Sequence, residues 1–343
     1  MNFSSDNVTG ACPEIANALM AANDGAAASY GADEETLRVE KTIADTFETK
    51  ADIFLVATGT ASNALALSVL CPPYGSIYCH PEAHIQVDEC GAPEFYTGGA
   101  KLTLLPDRNG KITAADLAGA LKHEHGDVHH VKPAAVSLSQ AAETGVIYTP
   151  DEISAICRVA HDHGLKVHMD GARFANAVAA LECSPADISW KAGVDVLCFG
   201  ASKNGAFAAE AIVLFERGLA DQFAFRRKRG GHLFSKMRFI SAQLEAYLKD
   251  NLWLRTAAHA NACSAVLAAG LAEISGIDLL YPADANMIFA TLPNTMVAGL
   301  RADGFRFYDW PVNNHAMIRL VCAFNTRMED VEIFITSARK HSS

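Results

Sequence analysis

The stretch TPDEISAICRVAHDHGLKVHMDGAR (Thr149–Arg173) contains a helix, a stop and a strand in that order. Thr149 is placed as an N-cap, Pro150 as the first helical residue and Glu152 as the returning partner of a capping box. Apolar residues then recur at helical spacing until Gly164, which suits a left-handed stop. LKVHMD follows as a short, largely apolar strand that ends at Asp170. In an open parallel sheet, ligands bind beyond the carboxyl ends of the strands. Asp170 is therefore placed at a site and not in the core.

The same alternation extends outward from this unit. DIFLVA, SIYCH, KLTLLP, PAAVSLS, LKVHMD, VDVLCF and EAIVLF read as strands. Helical patterns such as TASNALALSVL and AADLAGALKHE lie between several of them. This pattern predicts an α/β fold with a mostly parallel seven-stranded sheet between helices. After residue 218 the chain becomes Ala-rich and helical through FISAQLEAYLKDNLWLRTAAHANACSAVLAAGLAEI. NMIFATL, a helix near TMVAGLRADG, MIRLVCAF and a last helix from Met328 then read as a smaller C-terminal α+β domain. The boundary is placed near residue 245, giving 1–245 for an N-terminal arm with the large domain and 246–343 for the small domain.

The chain has 343 residues and a net charge of −11, which argues against nucleic acid or an anionic membrane as the main partner. FRRKRGG (Phe225–Gly231) is a local basic exception. No apolar run is long enough to span a membrane, and no secretory signal is visible. Nine cysteines without a C-x-x-C pair point to reduced thiols and a cytoplasmic location. CPPYGSIYCHPEAH holds Cys71, Cys79, His80 and His84, but its spacing matches no zinc pattern, so no metal is expected.

CFGASKNGAFAAEA (Cys198–Ala211) contains a single amine, Lys203, just after a strand. An isolated loop lysine usually reaches solvent. Here the alternative is an amine held in a pocket as a nucleophile toward carbonyls. Upstream, VATGTASN places Thr58, Gly59 and Thr60 at a helix start, where free N–H groups and hydroxyls can cradle a phosphate. A phosphate cradle, a strand-end Asp and a strand-end Lys together describe a site for pyridoxal 5'-phosphate (PLP). The carboxylate would keep its ring nitrogen protonated and the amine would form the Schiff base.

The chain resembles the low-specificity L-threonine aldolases, within the fold-type-I PLP enzymes of the aspartate aminotransferase superfamily. FSSDNVTG, SYGADEET, ATGTASN, HMDGARFANA, GASKNG and IRLVCAFNT match that family's motifs in order, from Ser5 to about Thr326. The resemblance implies that Lys203 holds PLP and that Asp170 pairs with its pyridine nitrogen. It also gives the phosphate to Gly59 and Thr60, with Thr58 and Ser202 beside them. Arg173 and Arg319, with Ser5, would grip the substrate carboxylate. His84 would stack on the cofactor ring, and His129 would lie near the substrate's β-hydroxyl. Lys228 would reach PLP phosphate from a neighbouring subunit, and Tyr30 would lie near the site, contributed across a subunit interface.

Gln140 and Glu143, in SLSQAAETG, stand where the family's more familiar branch has an Asn-rich stretch. The implied reaction is cleavage of a β-hydroxy-α-amino acid (threonine, allo-threonine or phenylserine) to glycine and an aldehyde, with His84 or His129 as the base. The resemblance further implies a homodimer or homotetramer with sites at the subunit interface. The alternative is another PLP chemistry on the same scaffold, whether β-elimination, transamination or racemisation.

Overall fold

The structure, a computed structural model, describes residues 1–122, 126–310 and 317–342. Seven strands form the large sheet: β1 (Asp52–Val56), β2 (Gly75–Cys79), β3 (Lys101–Leu104), β4 (Lys132–Ser139), β5 (Lys166–Gly171), β6 (Val196–Gly200) and β7 (Glu210–Leu214). Their order is β1-β7-β6-β5-β4-β2-β3. β7 runs antiparallel to both of its neighbours, and every other pair is parallel. The carboxyl ends of β1, β4, β5 and β6 therefore share one edge with the start of β7.

All seven strands fall on the apolar runs read from the sequence. Alternate residues feed opposite faces, as the two-residue period requires. Val196 and Cys198 of β6 pack into one core cluster, while Leu197 and Phe199 pack into the other. Both faces are covered, which is why the strands lack polar alternation. The helix Gly59–Leu70 is buried on most sides, enclosing Ala61 through Ser68 together with Leu70. Its Ala and Ser side chains are small, so it can lie close to the sheet.

The helix Pro150–Asp162 has the expected capping box, with Thr149 and Glu152 each satisfying the other's backbone N–H. Gly164 follows at φ 74°. The long Ala-rich region is helical, as read, and is divided in two. It breaks into Arg238–Leu248 and Leu252–Ala272 because Asp250 and Asn251 adopt φ of 51° and 55°. Asp and Asn are the non-glycine residues that tolerate this left-handed conformation most readily.

A second, antiparallel sheet has the order β10-β11-β9-β8, from β8 (Asp278–Leu279), β9 (Met287–Thr291), β10 (Tyr308–Asp309) and β11 (Met317–Val321). The last helix starts at Met328, as read. The N-terminal segment joins this second core. Phe3 is 1% exposed, packs on Phe334 and Phe305, and brackets the sheet through Phe3 N–H to Arg306 C=O and Val321 N–H to Phe3 C=O, both 2.8 Å. The arm thereby carries Ser5 and Asp6 past the edge where β5 and β6 end.

Candidate active site

Lys203 lies in a one-turn 3₁₀ helix, Ser202–Asn204, directly after β6. Its amine makes no hydrogen bond or ion pair among the described residues, although it lies within electrostatic reach of Asp6, Asp170 and Glu210. A half-buried ammonium surrounded by carboxylates yet bonded to none is held ready for a ligand.

Asp170, near the end of β5, is 6% exposed. It accepts from Asn63 Nδ2 at 2.8 Å and from the Ala172 N–H at 2.9 Å. Burial pushes its carboxyl up. The Lys203 and His84 charges and these two hydrogen bonds outweigh burial, so the group is held below the ordinary Asp range and stays anionic. Beneath it His168 is sealed between Ser137 Oγ (2.9 Å) and Cys198 Sγ (3.3 Å), and burial keeps its imidazole neutral.

His84 begins the short helix His84–Val87 and sets Nδ1 2.8 Å from Glu89 Oε1. That bond raises the imidazole pKa and outweighs burial. Glu89 is itself buried and receives Asn63 Nδ2 at 2.7 Å. Asn63 thus donates to both Glu89 and Asp170, separating two carboxylates with an amide. The ligand atoms of His84, Glu89 and Asp170 lie within 4.8 Å of one another, and Asn63 Nδ2 donates to both acids.

Two arginines stand on the other side. Arg173 is buried and pairs bidentately with Asp6 through Nε and Nη2, both at 2.8 Å. Burial disfavours both charges, and the pair offsets that cost, holding Asp6 low and Arg173 high. Asn286 Nδ2 adds a bond to Asp6 at 3.1 Å. The outer edge of the Arg173 guanidinium remains free.

Arg319 is different. It lies between Tyr308 and Trp310, 5.1 and 5.2 Å from their ring centroids, and donates Nη2 to Ser4 C=O at 3.2 Å. Its Nε is buried without a partner, and no carboxylate pairs with it among the described residues. Burial and the like charge of Arg173 pull its pKa down. A desolvated guanidinium with an unfilled donor can accept an anion.

Thr58 caps the helix Gly59–Leu70 by accepting from Ala61 N–H at 3.2 Å. A Cβ built at Gly59 would meet nothing within 4 Å, so the first turn faces open space next to Thr60. Ser202 is committed to Glu210, at 2.5 Å. Ser5 caps its own turn by accepting from Asn7 N–H.

Not every expected residue reaches this cluster. His129 is the clearest correction. It sits in an exposed turn before β4, and the eight residues of that strand, at roughly 3.3 Å each, carry the chain about 25 Å from there to the site edge. Glu143, in the turn after β4, lies within electrostatic reach of His84, Arg173 and Arg319 instead. Gln140 is consumed in clamping Tyr148, with its Nε2 on Tyr148 C=O and its Oε1 on Tyr148 N–H. Lys228 and Tyr30 meet each other, the amine 4.5 Å over the ring, on an exposed surface.

The sequence matches the beta-eliminating lyase family over residues 2–294. The low specificity L-threonine aldolase of Pseudomonas aeruginosa is 46% identical over 330 residues, covering 96% of this chain and 94% of the relative. That of a Pseudomonas species is 45% identical, covering 94% and 93%. A solved Leishmania major threonine aldolase superposes with a TM-score of 0.94 at 30% identity, covering 100% of this chain and 99% of that one. Serine palmitoyltransferase from Sphingomonas wittichii, at 16% identity and a TM-score of 0.76, shares the fold alone. The chain belongs to the beta-eliminating lyase family, and within it to the low-specificity L-threonine aldolases.

Proposed function

We propose that the protein binds PLP and cleaves threonine and related β-hydroxy-α-amino acids to glycine and an aldehyde. The observation that carries this reading is the convergence of an unpaired Lys203, an anionic buried Asp170 and an anion-receptive Arg319 on one sheet edge. The residues fit the cofactor: Gly59 and Thr60 open a helix N-terminus to a phosphate, and Asp170 offers a fixed negative charge to a protonated ring nitrogen. When bound, PLP supplies an electron sink for the bond broken at the substrate's Cα.

The chain's own residues do the rest. Lys203 would supply the amine that holds the cofactor. Arg319, helped by the free edge of Arg173, takes the substrate carboxylate. Holding that group would fix how Cα and its bonds are presented to the site. His84, with Nδ1 tied to Glu89, has Nε2 free to take the proton of the β-hydroxyl. With that proton on His84, the Cα–Cβ bond would open and the aldehyde would leave, and one proton returned to Cα, balancing the one taken by His84, would complete glycine.

The site is proposed to be completed between subunits of a homodimer or homotetramer. The Lys228–Tyr30 pair and the 78%-exposed Phe225 are surface features suited to such a contact. Nine unpaired thiols support a reducing, cytoplasmic setting. No helix among the described residues is long and apolar enough to cross a membrane.

The deciding assay supplies PLP and threonine or phenylserine and measures glycine and aldehyde together. Equal amounts of both are expected. Pyruvate and ammonia from serine, without glycine from threonine, would move the protein to a β-eliminating role.

The pH profile tests His84 separately. Because Glu89 raises its pKa, His84 keeps its proton above the ordinary imidazole value of 6.5, and the base form appears only at higher pH. kcat/KM is therefore expected to rise with pH through a value above 6.5. Glu89→Gln keeps an acceptor for Nδ1 but removes the charge, and should move that rise to lower pH. An unmoved limb would remove His84 from the role of base.

A further inference from the structure

Glu210 opens β7 and is paired with Val56 of β1 on one side and Gly200 of β6 on the other. Just beyond Val56 the chain reaches Thr58 and Gly59, and just beyond Gly200 it reaches Ser202 and Lys203. The start of β7 therefore lies between the two segments of the phosphate cradle, and the carboxyl of Glu210 meets Ser202 in one of them. It is 5% exposed. A Cβ at Gly200 would fall 2.9 Å from its Oε2, so the glycine makes room for it. No cation forms an ion pair with it among the described residues. The titratable groups facing it are Lys203, Asp170, Cys198 and Tyr247, of which only Lys203 is a cation.

Its hydrogen bond is to Ser202: Oε1 is 2.5 Å from Oγ, which also accepts from the Ala209 N–H at 3.2 Å. A serine hydroxyl has one proton to give. If Glu210 is ionised, that proton points at the carboxylate and away from any phosphate, and two anions then face each other across a dry site. If Glu210 is protonated, it donates to Oγ and releases the hydroxyl proton.

We propose that Glu210 is a positioning residue for the cofactor phosphate. Its protonated carboxyl turns the Ser202 hydroxyl toward that group, and its ionisation withdraws the hydroxyl. The proposal rests on the PLP reading. Burial pushes the Glu210 carboxyl up to about 7, against the lowering effects of Ser202 and Lys203, so the exchange falls in the neutral range. Its folded-state pKa is raised, so the phosphate-binding form is the one present at lower pH.

The test compares the affinity of the apoprotein for PLP with its affinity for pyridoxal, which lacks the phosphate, between about pH 7 and about pH 9, a range in which the phosphate stays dianionic. The ratio of the two cancels the contribution of Lys203. The preference for PLP over pyridoxal is expected to fall roughly tenfold across that range, the worth of one charge-assisted hydrogen bond. Glu210→Gln donates to Oγ at every pH and should hold the preference high and flat. Ser202→Ala should hold it low and flat, and serves as the second variant if Glu210→Gln fails to fold.

A wild-type slope retained in either variant overturns the proposal, as does a wild-type ratio that does not change with pH. Failure of the wild-type protein to take up PLP at any pH would overturn the cofactor reading along with it. Uptake with a flat ratio overturns only the role of Glu210.

Discussion

Lys203→Ala is expected to abolish turnover and to remove the yellow absorption that the PLP-loaded protein should show. Lys203 has no hydrogen-bonding partner whose loss would unravel the loop, and its backbone is fixed independently by Asn204 N–H on Ala201 C=O and Ala206 N–H on Ala201 C=O. The Asn204 side chain further anchors the turn to Tyr247 Oη and Trp253 C=O. The variant should therefore fold. What disappears is the amine that forms and exchanges the covalent link, a function no neighbour can assume. Arg173 and Arg319 are guanidinium groups and remain protonated under these conditions.

The expected loss is on the order of 10⁴- to 10⁶-fold in kcat, typical of removing a covalent catalyst. Cofactor can still be retained through the phosphate cradle, so binding measured by dialysis should fall less than turnover. Lys203→Arg should fail equally, which separates nucleophilicity from charge. Near-normal turnover in Lys203→Ala would mean that Lys203 is an ordinary loop lysine.

The legibility of this site in the sequence followed the range of the interactions. Lys203, Asp170 and the Thr58–Thr60 turn were readable because each directly adjoins a strand whose apolar run marks its end. The chemistry there is local, and sheet topology turns it into proximity. Glu89, Asn63, Asp6 and Glu210 were not readable in this way. Each is a single polar residue whose partner is set by folding: Asn63 with Asp170, Asp6 with Arg173, and Glu210 with Ser202 across the β6–β7 connection. Their only shared signal is a polar side chain in an apolar neighbourhood, and such short stretches are too common to carry it.

His129 illustrates the converse. A histidine next to a strand looks equivalent at either end, and only the direction of β4 shows that it lies at the wrong one. Arg319 was legible by resemblance alone. The structural reason to believe in it, the Tyr308 and Trp310 rings and the unfilled Nε, depends on the pairing of Tyr308 with Arg319 across two short strands. A two-residue strand such as β10 has no period to read.

Asp170→Asn is the second large effect, and its size comes from two separable losses. The first is charge. An amide cannot hold a proton on a ring nitrogen as a carboxylate does, so the electron sink weakens. The second is hydrogen bonding. Both groups that Asp170 accepts from, Asn63 Nδ2 and Ala172 N–H, are donors. A carboxylate meets both with its two oxygens, whereas an amide has one oxygen and must turn its own NH₂ toward the other donor. One buried donor is then left unsatisfied, at a cost of about 1–3 kcal/mol.

His84 also loses one of the charges that raise its pKa, so its base form appears at lower pH than in the parent. Turnover is expected to fall by roughly 10²- to 10⁴-fold, with weaker PLP binding and the rising limb of kcat/KM moved to lower pH. The limb shift separates Asp170 from a residue that merely fills space, since a packing defect would lower kcat without moving it. A loss of less than tenfold in kcat, with the limb unmoved, would show that the charge opposite the ring nitrogen comes from elsewhere. Glu89 is then the only other buried carboxylate tied to Asn63, and the two acids would exchange roles.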